Sequence, residues 1–411
     1  MQEVTHETIL TTVKSRVFTL DVLRGIAILG ILIPNIVAFG LPGAMAIEAP
    51  GSQTYGTDAW VEVLRAVFCS GKFRGMLSIL FGVGLAMQYA KLSSSNDEWP
   101  SRYLRRTVIL LLIGLAHFLF IWYGDILFIY SIAALFSIAF VKVEDKFLII
   151  AAGVLLGCSI FFGYGLGALT LLGVDLAPDN SGGLFSYLTE DFEMVAYASG
   201  SWFDQLMHRF VAFLSMTMML QYVIPEIVGG FLIGMFLGRH GVLAAPSEHR
   251  RIRNSSLLIG LGIGGAMSVL PLLGYLGGLQ YNFAIAIEMG GGVLLGLGYV
   301  MLGAVILEKY KDGALARPFA NVGRFALSCY VMQSVVLTAV FYSWGGGYYG
   351  KFSVTELLGF VIATWILILI AASVWSRYFR FGPIEWLWRS QVYKERLAIR
   401  KAPRSSSSFS A

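Results

Sequence analysis

Ten apolar runs, each near the length that crosses a lipid bilayer, constrain the fold of this chain more than any other feature. A helix needs about 20 mainly apolar residues to cross the hydrocarbon core. Lipid leaves backbone groups unsatisfied unless a segment is helical or part of a closed barrel, and the alternating pattern of barrel strands is absent. The sequence therefore predicts an all-α fold, a polytopic membrane helical bundle of about ten transmembrane helices. The runs are 20–40, 73–90, 106–123, 126–141, 147–172, 210–238, 255–274, 282–307, 319–342 and 354–375.

Composition supports a membrane protein and argues against nucleic-acid or metal binding. Charged residues make up 13% of the chain, compared with about 25% in soluble domains. The net charge of +5 comes from basic residues in short loops, where they set orientation. The three cysteines, Cys69, Cys158 and Cys329, show no metal-ligand spacing. We therefore expect a lipid bilayer around the chain, no metal, no nucleic acid and no tightly bound cofactor.

Basic residues fall on one side of the membrane if ten helices alternate. They lie at 102–106, 239–253 and 377–396, whereas 173–208 is acidic and contains no Lys or Arg. Because basic loops stay on the cytoplasmic side, both termini are expected in the cytoplasm and the protein in a bacterial cytoplasmic (inner) membrane. The pattern leaves a homo-oligomer open. The predicted parts are a cytoplasmic N-terminal segment (1–19), the N-terminal half of the bundle with five helices (20–172), an acidic extracytoplasmic segment (173–209), the C-terminal half with five helices (210–380) and a basic cytoplasmic tail (381–411).

Two stretches depart from the pattern of simple spans. The run that ends at Gly238 is too long for one straight span and contains Pro225. Splitting it would place the following basic loop outside, so we predict an interfacial piece leading into one span that is kinked near the proline. Within 60–69 the apolar residues share one helical face, with Glu62 and Arg65 opposite, which favours a short helix lying on the outer surface. The glycines at 230, 234 and 238 have the small-xxx-small spacing of closely packed helices.

Polar residues inside apolar runs are candidates for function, because a charge in a bilayer costs on the order of a few kcal/mol or more. In the first run Asp21, Arg24 and Asn35 recur at helical spacing. Arg24 and Asn35 return to nearly the same face and could line a polar path from the cytosolic end. The equally supported alternative is that Asp21 and Arg24 form a structural ion pair at the interface.

His117 and Asp125 lie in one apolar stretch, GLAHFLFIWYGDILFIY. Tyr123-Gly124-Asp125 predicts a tight turn at the outer surface, with His117 roughly 9 Å below it and Tyr130 at a similar depth on the returning helix. His117 and Tyr130 are thus expected to face each other beneath Asp125. Histidine suits acid–base catalysis near neutral pH, and a carboxylate fixes its tautomer, so His117 and Asp125 are candidate catalytic residues. The alternative is a neutral histidine that ties two helices together.

Four further residues are candidate substrate contacts. Glu288 lies about six residues into its helix without a basic neighbour in sequence, so that its partner must come from another helix. Arg74 is one such partner, and a protonated structural glutamate is the alternative. Arg324 and the deeper Gln333 belong to the stretch NVGRFALSCYVMQS. An arginine near the inner boundary is often only a snorkelling anchor.

Other features of the sequence indicate a function less specifically. His208 and Arg209 mark the place where the acidic segment meets the sixth helix, and we expect a surface role for them. No metalloprotease, serine-hydrolase or nucleotide-loop motif occurs in the sequence. Together the intramembrane polar residues predict a cavity that spans the membrane, which suits a transporter and an intramembrane transferase equally.

Six stretches, in order over nearly the whole chain, share the patterns of one known family. They are RVFTLDVLRGIAILGILIPNI, LSILFGVGLAMQ, GLAHFLFIWYGDILFIY, GLGYVMLGAVI, NVGRFALSCYVMQSVV and FGPIEWLWRSQVY. The tail motif with Gly382, Pro383, Glu385, Trp386 and Trp388 is the most specific. By these stretches the chain is identified as a member of the YeiB-like family, domain-of-unknown-function family 418.

This family resembles a wider group of transmembrane acyltransferases that includes the lysosomal heparan-α-glucosaminide acetyltransferase. That enzyme also carries an arginine-glycine followed by an asparagine at the spacing of Arg24 and Asn35. The resemblance implies an acyl-CoA co-substrate bound from the cytosol and an acyl group passed to a small-molecule or envelope acceptor on the far side. The acetyltransferase places its histidine in the loop after the first helix. The corresponding loop here, 41–59, has none, so the role would fall to His117.

The leading prediction is therefore an acyltransferase-like membrane enzyme. Arg24 and Arg324 would contact the donor phosphates, since forked guanidinium donors match phosphate oxygens. His117 would be the general base, and Arg74 and Glu288 would shape the outer half of the cavity. One alternative is a proton-coupled secondary transporter of a small solute, which broken helices would support. Another is a membrane scaffold whose acidic outer segment binds a partner.

Overall fold

The computed structural model describes residues 6–43, 56–94, 99–171, 183–276, 283–310 and 313–401. A few stretches within them, including 6–17 and 283–290, are described by backbone alone. The helices are α1 (His6–Gly30), α2 (Leu32–Gly40), α3 (Thr57–Phe68), α4 (Lys72–Ser94), α5 (Ser101–Phe120), α6 (Leu127–Ser137), α7 (Asp145–Leu171), α8 (Glu190–Ala198), α9 (Trp202–His240), α10 (Arg250–Leu257), α11 (Gly265–Leu276), α12 (Phe283–Lys309), α13 (Ala316–Arg324), α14 (Ala326–Phe341), α15 (Val354–Tyr378) and α16 (Pro383–Tyr393).

Seven helical units within these ranges are long and apolar enough to cross a membrane. α13 and α14 meet at 89° and form an eighth crossing if the bent pair is one span. α6 with the short 3-10 turn after it covers only Leu127–Phe140, about 21 Å at 1.5 Å per residue and less than the ~30 Å hydrocarbon core. A π-helix, Leu258–Gly264, separates α10 from α11. The protein is thus a multi-pass helical membrane protein. Its described residues contain seven or eight long crossings where ten apolar runs suggested about ten.

The buried core has two parts. The larger is mainly aliphatic and lies between α1, α4, α6, α9, α12 and α14. The smaller is rich in aromatic side chains and joins α2, the α5–α6 turn, α8 and the turn after α14. Phe39 and Trp122 stack there with ring centroids 3.9 Å apart. The candidate site described below lies where the two parts meet.

Glycines let α4 and α9 approach closely. A Cβ atom at Gly234 would lie 1.9 Å from the carbonyl oxygen of Ile79, and one at Gly82 would lie 2.0 Å from that of Phe231. Neither helix could carry a larger residue there without moving its neighbour's backbone. The small-xxx-small spacing in α9 therefore marks a helix-packing surface, as predicted.

Ile31 separates α1 from α2 within a single crossing, and Pro34 lies in the first turn of α2. The last carbonyls of a helix have no partner inside it, and two of those of α1 are bonded from other helices. Gln333 Nε2 donates to the Ile28 carbonyl (3.0 Å) and Trp365 Nε1 to the Leu29 carbonyl (2.9 Å). Gln333 is thus a tie between α14 and α1.

α3 turns its polar side inward and its apolar side outward. Trp60, Leu64 and Phe68 are 68, 54 and 52% exposed, whereas Glu62 is buried and lies 2.5 Å from the guanidinium of Arg65. α3 and α4 together form one apolar unit long enough to cross a membrane. The expected helix lying on the outer surface is therefore corrected. A lipid-facing apolar stripe opposite a buried ion pair has the same periodicity as an interfacial helix, so the sequence pattern could not separate them.

α9 is a single helix of 39 residues with Pro225 in its interior. Ser201 caps it, and Asp204 accepts a hydrogen bond in return from the backbone N–H of Ser201 (2.8 Å). At 1.5 Å per residue the helix is about 58 Å long, well beyond the hydrocarbon core. The charge pattern correctly predicts one span, but the predicted boundary at 209/210 falls inside this helix.

α16 joins the C-terminal tail to the bundle through the GPIEWLW motif. Glu385 Oε1 accepts from the backbone N–H of Ser328 (3.0 Å), and Oε2 accepts from the Ser328 hydroxyl. Because Ser328 lies in the first turn of α14, the carboxylate satisfies a backbone donor exposed by the bend after α13. Trp388 Nε1 donates to the Arg106 carbonyl (2.9 Å), and the Arg106 guanidinium lies 4.1 Å from the Trp388 ring.

Candidate functional site: a buried histidine–carboxylate pair

Asp125 lies just before α6, bonds its first turn and at the same time faces His117 of α5. Its Oδ1 accepts from the backbone N–H of Phe128 (2.7 Å), as a helix cap does. Its Oδ2 lies 2.8 Å from His117 Nδ1, a close contact bent away from ideal hydrogen-bond direction. Both side chains are buried, with exposures of 2% for His117 and 0% for Asp125. The contact exists because Gly114 lets α5 touch α6: a Cβ there would lie 2.4 Å from Phe128 N.

Three buried atoms of the pair, His117 Nδ1, His117 Nε2 and Asp125 Oδ2, make no hydrogen bond of good geometry among the described residues. Nδ1 and Oδ2 at least face each other at 2.8 Å, whereas Nε2 lies outside this contact. A buried unpaired polar atom is costly, and such atoms concentrate at functional positions. With Nδ1 held by a carboxylate, Nε2 is the atom available for proton transfer.

Tyr330 of α14 closes one side of the pair. Its ring centroid lies 5.1 Å from that of His117, and its hydroxyl accepts from the backbone N–H of Ile126 (3.2 Å). Tyr330, and not Tyr130, is therefore the ring against His117, which corrects the expected facing pair. Tyr330 was missed because α5 and α14 are distant in sequence, although it lies in a stretch already selected for its polar residues.

The α5–α6 turn is covered by protein, which corrects its expected place at the outer surface. Trp122, Tyr123 and Asp125 are 1, 5 and 2% exposed. Tyr123 donates to Glu193 of α8 (3.0 Å). Arg209 Nε donates to the Leu119 carbonyl (2.7 Å). Residues 119–125 are thus held between α8 and α9.

His208 and Arg209 have buried roles, not the surface roles expected. Both are 1% exposed. His208 Nδ1 lies 3.0 Å from the hydroxyl of Tyr197. The acidic composition of the preceding segment gave no sign that α8 folds over the start of α9.

Tyr130 links α6 to an ion pair between α4 and α9. The Tyr130 hydroxyl donates to the Arg74 carbonyl (2.6 Å), and the Arg74 guanidinium lies 3.0 Å from Glu226 of α9. Glu226 is 1% exposed. The observed partner of Arg74 is therefore Glu226; Glu288, the partner considered from sequence, lies in α12 with its side chain outside the described residues. Glu226 was overlooked although it is a charge in an apolar run, the signal that selected the others.

A second cluster lies at the predicted cytosolic end. Arg24 donates to Asp21 (3.1 Å), and Arg324 and Arg389 also attract this carboxylate. Arg106 lies close enough to Arg24 and Arg389 to repel them. The cluster therefore joins α1, α5, α13 and α16, and arginine density of this kind suits an anionic ligand. Arg106 and Arg389 were not predicted, because the docking of α16 brings them there.

The remaining predicted contacts are Asn35 and Gln333. Asn35 is half-buried on α2 beside Pro34. Gln333 is occupied by the α1 carbonyl described above. Within the described ranges no group of three His, Cys, Asp or Glu side chains could hold a metal ion. A groove of about 510 Å³ lies between α7 and α11, lined by Phe161, Tyr164 and otherwise apolar neighbours, and contains none of the predicted site residues.

Comparison with known proteins places this architecture in a family. A family described as "Protein of unknown function (DUF418)" matches residues 237–395. YxaH of Bacillus subtilis (strain 168) is 30% identical over 402 residues, which cover 93% of this chain and 96% of YxaH. YeiB of Escherichia coli (strain K12) is 31% identical over 393 residues, which cover 90% of this chain and 94% of YeiB.

This chain belongs to the YeiB-like DUF418 family. The family match ends at residue 395, just after α16, so the Glu385 motif is part of the matched DUF418 region. YxaH and YeiB are both named as uncharacterized proteins. No solved structure matches the chain significantly.

Proposed function

We propose that this YeiB-like protein is a transmembrane acyltransferase of the bacterial cytoplasmic membrane. It would move an acyl group from a cytosolic acyl-CoA-type donor to an acceptor on the extracytoplasmic side. The observation that carries the proposal is the buried His117–Asp125 pair, in which Nδ1 faces a carboxylate and Nε2 is unpaired. This is the arrangement that a general base needs.

The chemistry is a proton transfer coupled to acyl transfer. His117 Nε2 takes the proton of an acceptor hydroxyl or amine as the acceptor attacks the thioester carbonyl. The carbon–sulfur bond then breaks, the acyl group stays on the acceptor, and the departing thiolate receives the proton. Asp125 stabilises the transient imidazolium and keeps its tautomer fixed.

The arginine cluster supplies a site for the donor phosphates. Arg106 and His117 are eleven residues apart on α5, which returns to nearly the same helical face about 16 Å further along. A donor whose phosphates bind Arg24, Arg106 and Arg389 therefore needs an extended arm of about that length to bring its acyl carbon to Nε2. Thioester donors with a long flexible arm meet this requirement, whereas acyl phosphates do not.

The test is labelled acetyl-CoA with the purified protein in detergent or nanodiscs. We expect binding that weakens in Arg106→Ala, and transfer that is lost in His117→Asn, which keeps an amide near the Nδ1 position and removes Nε2. His240→Asn is the matched control, because His240 lies 3.4 Å from Asp145 in an exposed histidine–carboxylate pair. Absence of both binding and transfer in the wild type, across hydroxyl and amine acceptors, would overturn the proposal.

Proton-coupled transport is the second candidate, and two observations favour it. α13 and α14 form a helix broken by 89°, and discontinuous helices build substrate sites in transporters. The buried Arg74–Glu226 pair lies inside the membrane-spanning region. Flux of small solutes into proteoliposomes under a pH gradient separates the two functions. Transport predicts flux that Glu226→Gln abolishes, whereas acyl transfer predicts no flux and retained acetyl-CoA binding in that variant.

A further inference from the structure

Glu193 of α8 is a buried carboxylate that holds three separate parts of the outer half together. It is 2% exposed. Its Oε2 accepts from the backbone N–H of Gly43 (2.9 Å), and its Oε1 lies 3.0 Å from the hydroxyl of Tyr123 and 2.8 Å from that of Tyr349. These residues belong to the end of α2, the α5–α6 turn and the turn after α14.

Each of the two tyrosine hydroxyls also reaches a second acceptor. The Tyr123 hydroxyl lies 3.1 Å from the Ala38 carbonyl, and the Tyr349 hydroxyl lies 3.0 Å from the Leu41 carbonyl. The Ala38 carbonyl cannot be bonded within α2, because the residue four positions later is Pro42, which has no N–H. The tyrosines are therefore the donors placed to satisfy both the carboxylate and these carbonyls.

Counting protons shows that the four oxygen–oxygen contacts are two protons short when Glu193 is ionised. Two hydroxyl protons then serve four oxygen–oxygen contacts, because a tyrosine donates only one. If Glu193 carries a proton, it donates to one tyrosine, and that tyrosine turns its own proton to its main-chain carbonyl. Three of the four contacts are then hydrogen bonds. Burial raises the pKa of both Tyr123 and Tyr349, so the tyrosines keep their protons throughout.

We propose that Glu193, Tyr123 and Tyr349 form a proton-binding site whose occupancy sets how firmly α8 is fastened over the α5–α6 turn. With the proton bound, α8, α2 and both turns share one more hydrogen bond. Without the proton, two of the four oxygen–oxygen contacts have no hydrogen between them, and the attachment of α8 is weaker. Because the turn carries Asp125, the site links extracytoplasmic pH to the cover over His117. This inference stands whether the protein transfers acyl groups or transports a solute.

The surroundings of Glu193 favour its protonated form. Burial raises the pKa of its carboxyl above the ordinary 4.5, and nearby Glu190 adds to this, while the bonds from Gly43, Tyr349 and Tyr123 oppose it. Because the pKa of Glu193 is raised in the folded state, its proton contributes stability in full below about pH 4.5. This contribution is lost as the pH rises through the pKa of the folded state. Several titratable and charged groups face the site among the described residues. They are Glu190 and Tyr197 of α8, Tyr123, Tyr342, Tyr349, and His208 and Arg209 of α9.

Hydrogen exchange of the full-length protein in nanodiscs tests the proposal. Protection of the α8 amides, corrected for the intrinsic pH dependence of exchange, should fall as the pH rises, with a single midpoint above pH 4.5. The expected fall is about fivefold, the effect of one hydrogen bond. Glu193→Gln should remove this titration, because its side chain keeps one form at every pH. Asp191→Asn, the same kind of change at an exposed position on α8, should keep it.

A second variant keeps the proposal falsifiable if Glu193→Gln misfolds. Tyr349→Phe removes one donor to the carboxylate and should move the midpoint to higher pH. Protection that is flat with pH in the wild type, an unchanged titration in Glu193→Gln, or a midpoint that moves down in Tyr349→Phe would each overturn the proposal.

Discussion

Two buried carboxylates bond backbone N–H groups in the first turn of a helix, Asp125 at α6 and Glu385, from α16, at α14, and their surroundings differ. Glu385 shares Ser328 with the start of α14, and the Ser328 hydroxyl accepts in turn from the backbone N–H of Ile384 (3.0 Å). Each polar group of Glu385 and Ser328 in this arrangement therefore makes a hydrogen bond. Asp125 also caps a helix, but its other oxygen faces His117, whose Nε2 is unused. Similar capping geometry thus serves structure in one place and leaves a reactive atom in the other.

The largest expected effect is on chemistry at His117. We expect His117→Asn to lower acyl transfer by roughly 10²- to 10⁴-fold, the usual contribution of a general base. Its unfolding midpoint should change far less than its activity, because the amide still faces Asp125. Rates measured per folded molecule, with His240→Asn beside it, check this. Equal loss in both variants would remove the distinction between the buried and the exposed pair.

Overpacking the Asp125 region should have the next largest effect. Gly114→Ala places a methyl group 2.4 Å from Phe128 N and 2.9 Å from Asp125 Oδ1, so α5 and α6 must separate. We expect a loss of about 1–3 kcal/mol in unfolding free energy. Gly153→Ala is the control, because it lies in α7 with open space around its Cβ. It should be neutral or stabilising by up to ~1 kcal/mol. Similar losses in both would show that the close approach at Gly114 does not matter.

The smallest expected effect is at the structural carboxylate. Ser328→Ala removes two hydroxyl bonds, the one donated to Glu385 and the one accepted from the backbone N–H of Ile384. It leaves the backbone N–H of Ser328 bonded to Glu385, so we expect a loss of about 1–2 kcal/mol in unfolding free energy. Transfer per folded molecule should be unchanged. Ser93→Ala on exposed α4 surface is the control. A loss of transfer in Ser328→Ala without a loss of stability would mean that the tail motif takes part in the chemistry.

Sequence patterns predicted best what is local along the chain. The apolar runs predicted the helices, and the spacing of Asp21 and Arg24 is that of a bonded pair. His117 and Asp125 could be paired because one short turn joins their helices. The same reasoning placed that turn at the surface, since nothing in residues 119–125 indicates that α8 covers them.

Contacts between helices that are distant along the chain could not be predicted from the sequence. The partner of Arg74 lies 152 residues away in α9, and several acidic residues were equally possible by type. Tyr330 contacts His117 from α14, a helix far from α5 along the chain. The expected place of α3 on the outer surface was wrong because a lipid-facing apolar stripe has the same periodicity as an interfacial helix. In each case the missing information was which helices are neighbours, and a single sequence does not contain it.

The comparison of the two carboxylates can be tested by one paired measurement on Asp125→Asn and Glu385→Gln. Both variants remove a buried charge from a helix start, and both are measured for unfolding midpoint and for acyl transfer per folded molecule. The account predicts that Asp125→Asn loses transfer out of proportion to its stability, because the tautomer of His117 is no longer fixed. Glu385→Gln should lose stability and keep its transfer rate. Losses of transfer that simply follow stability in both variants would contradict the assignment of His117 and Asp125 as the catalytic pair.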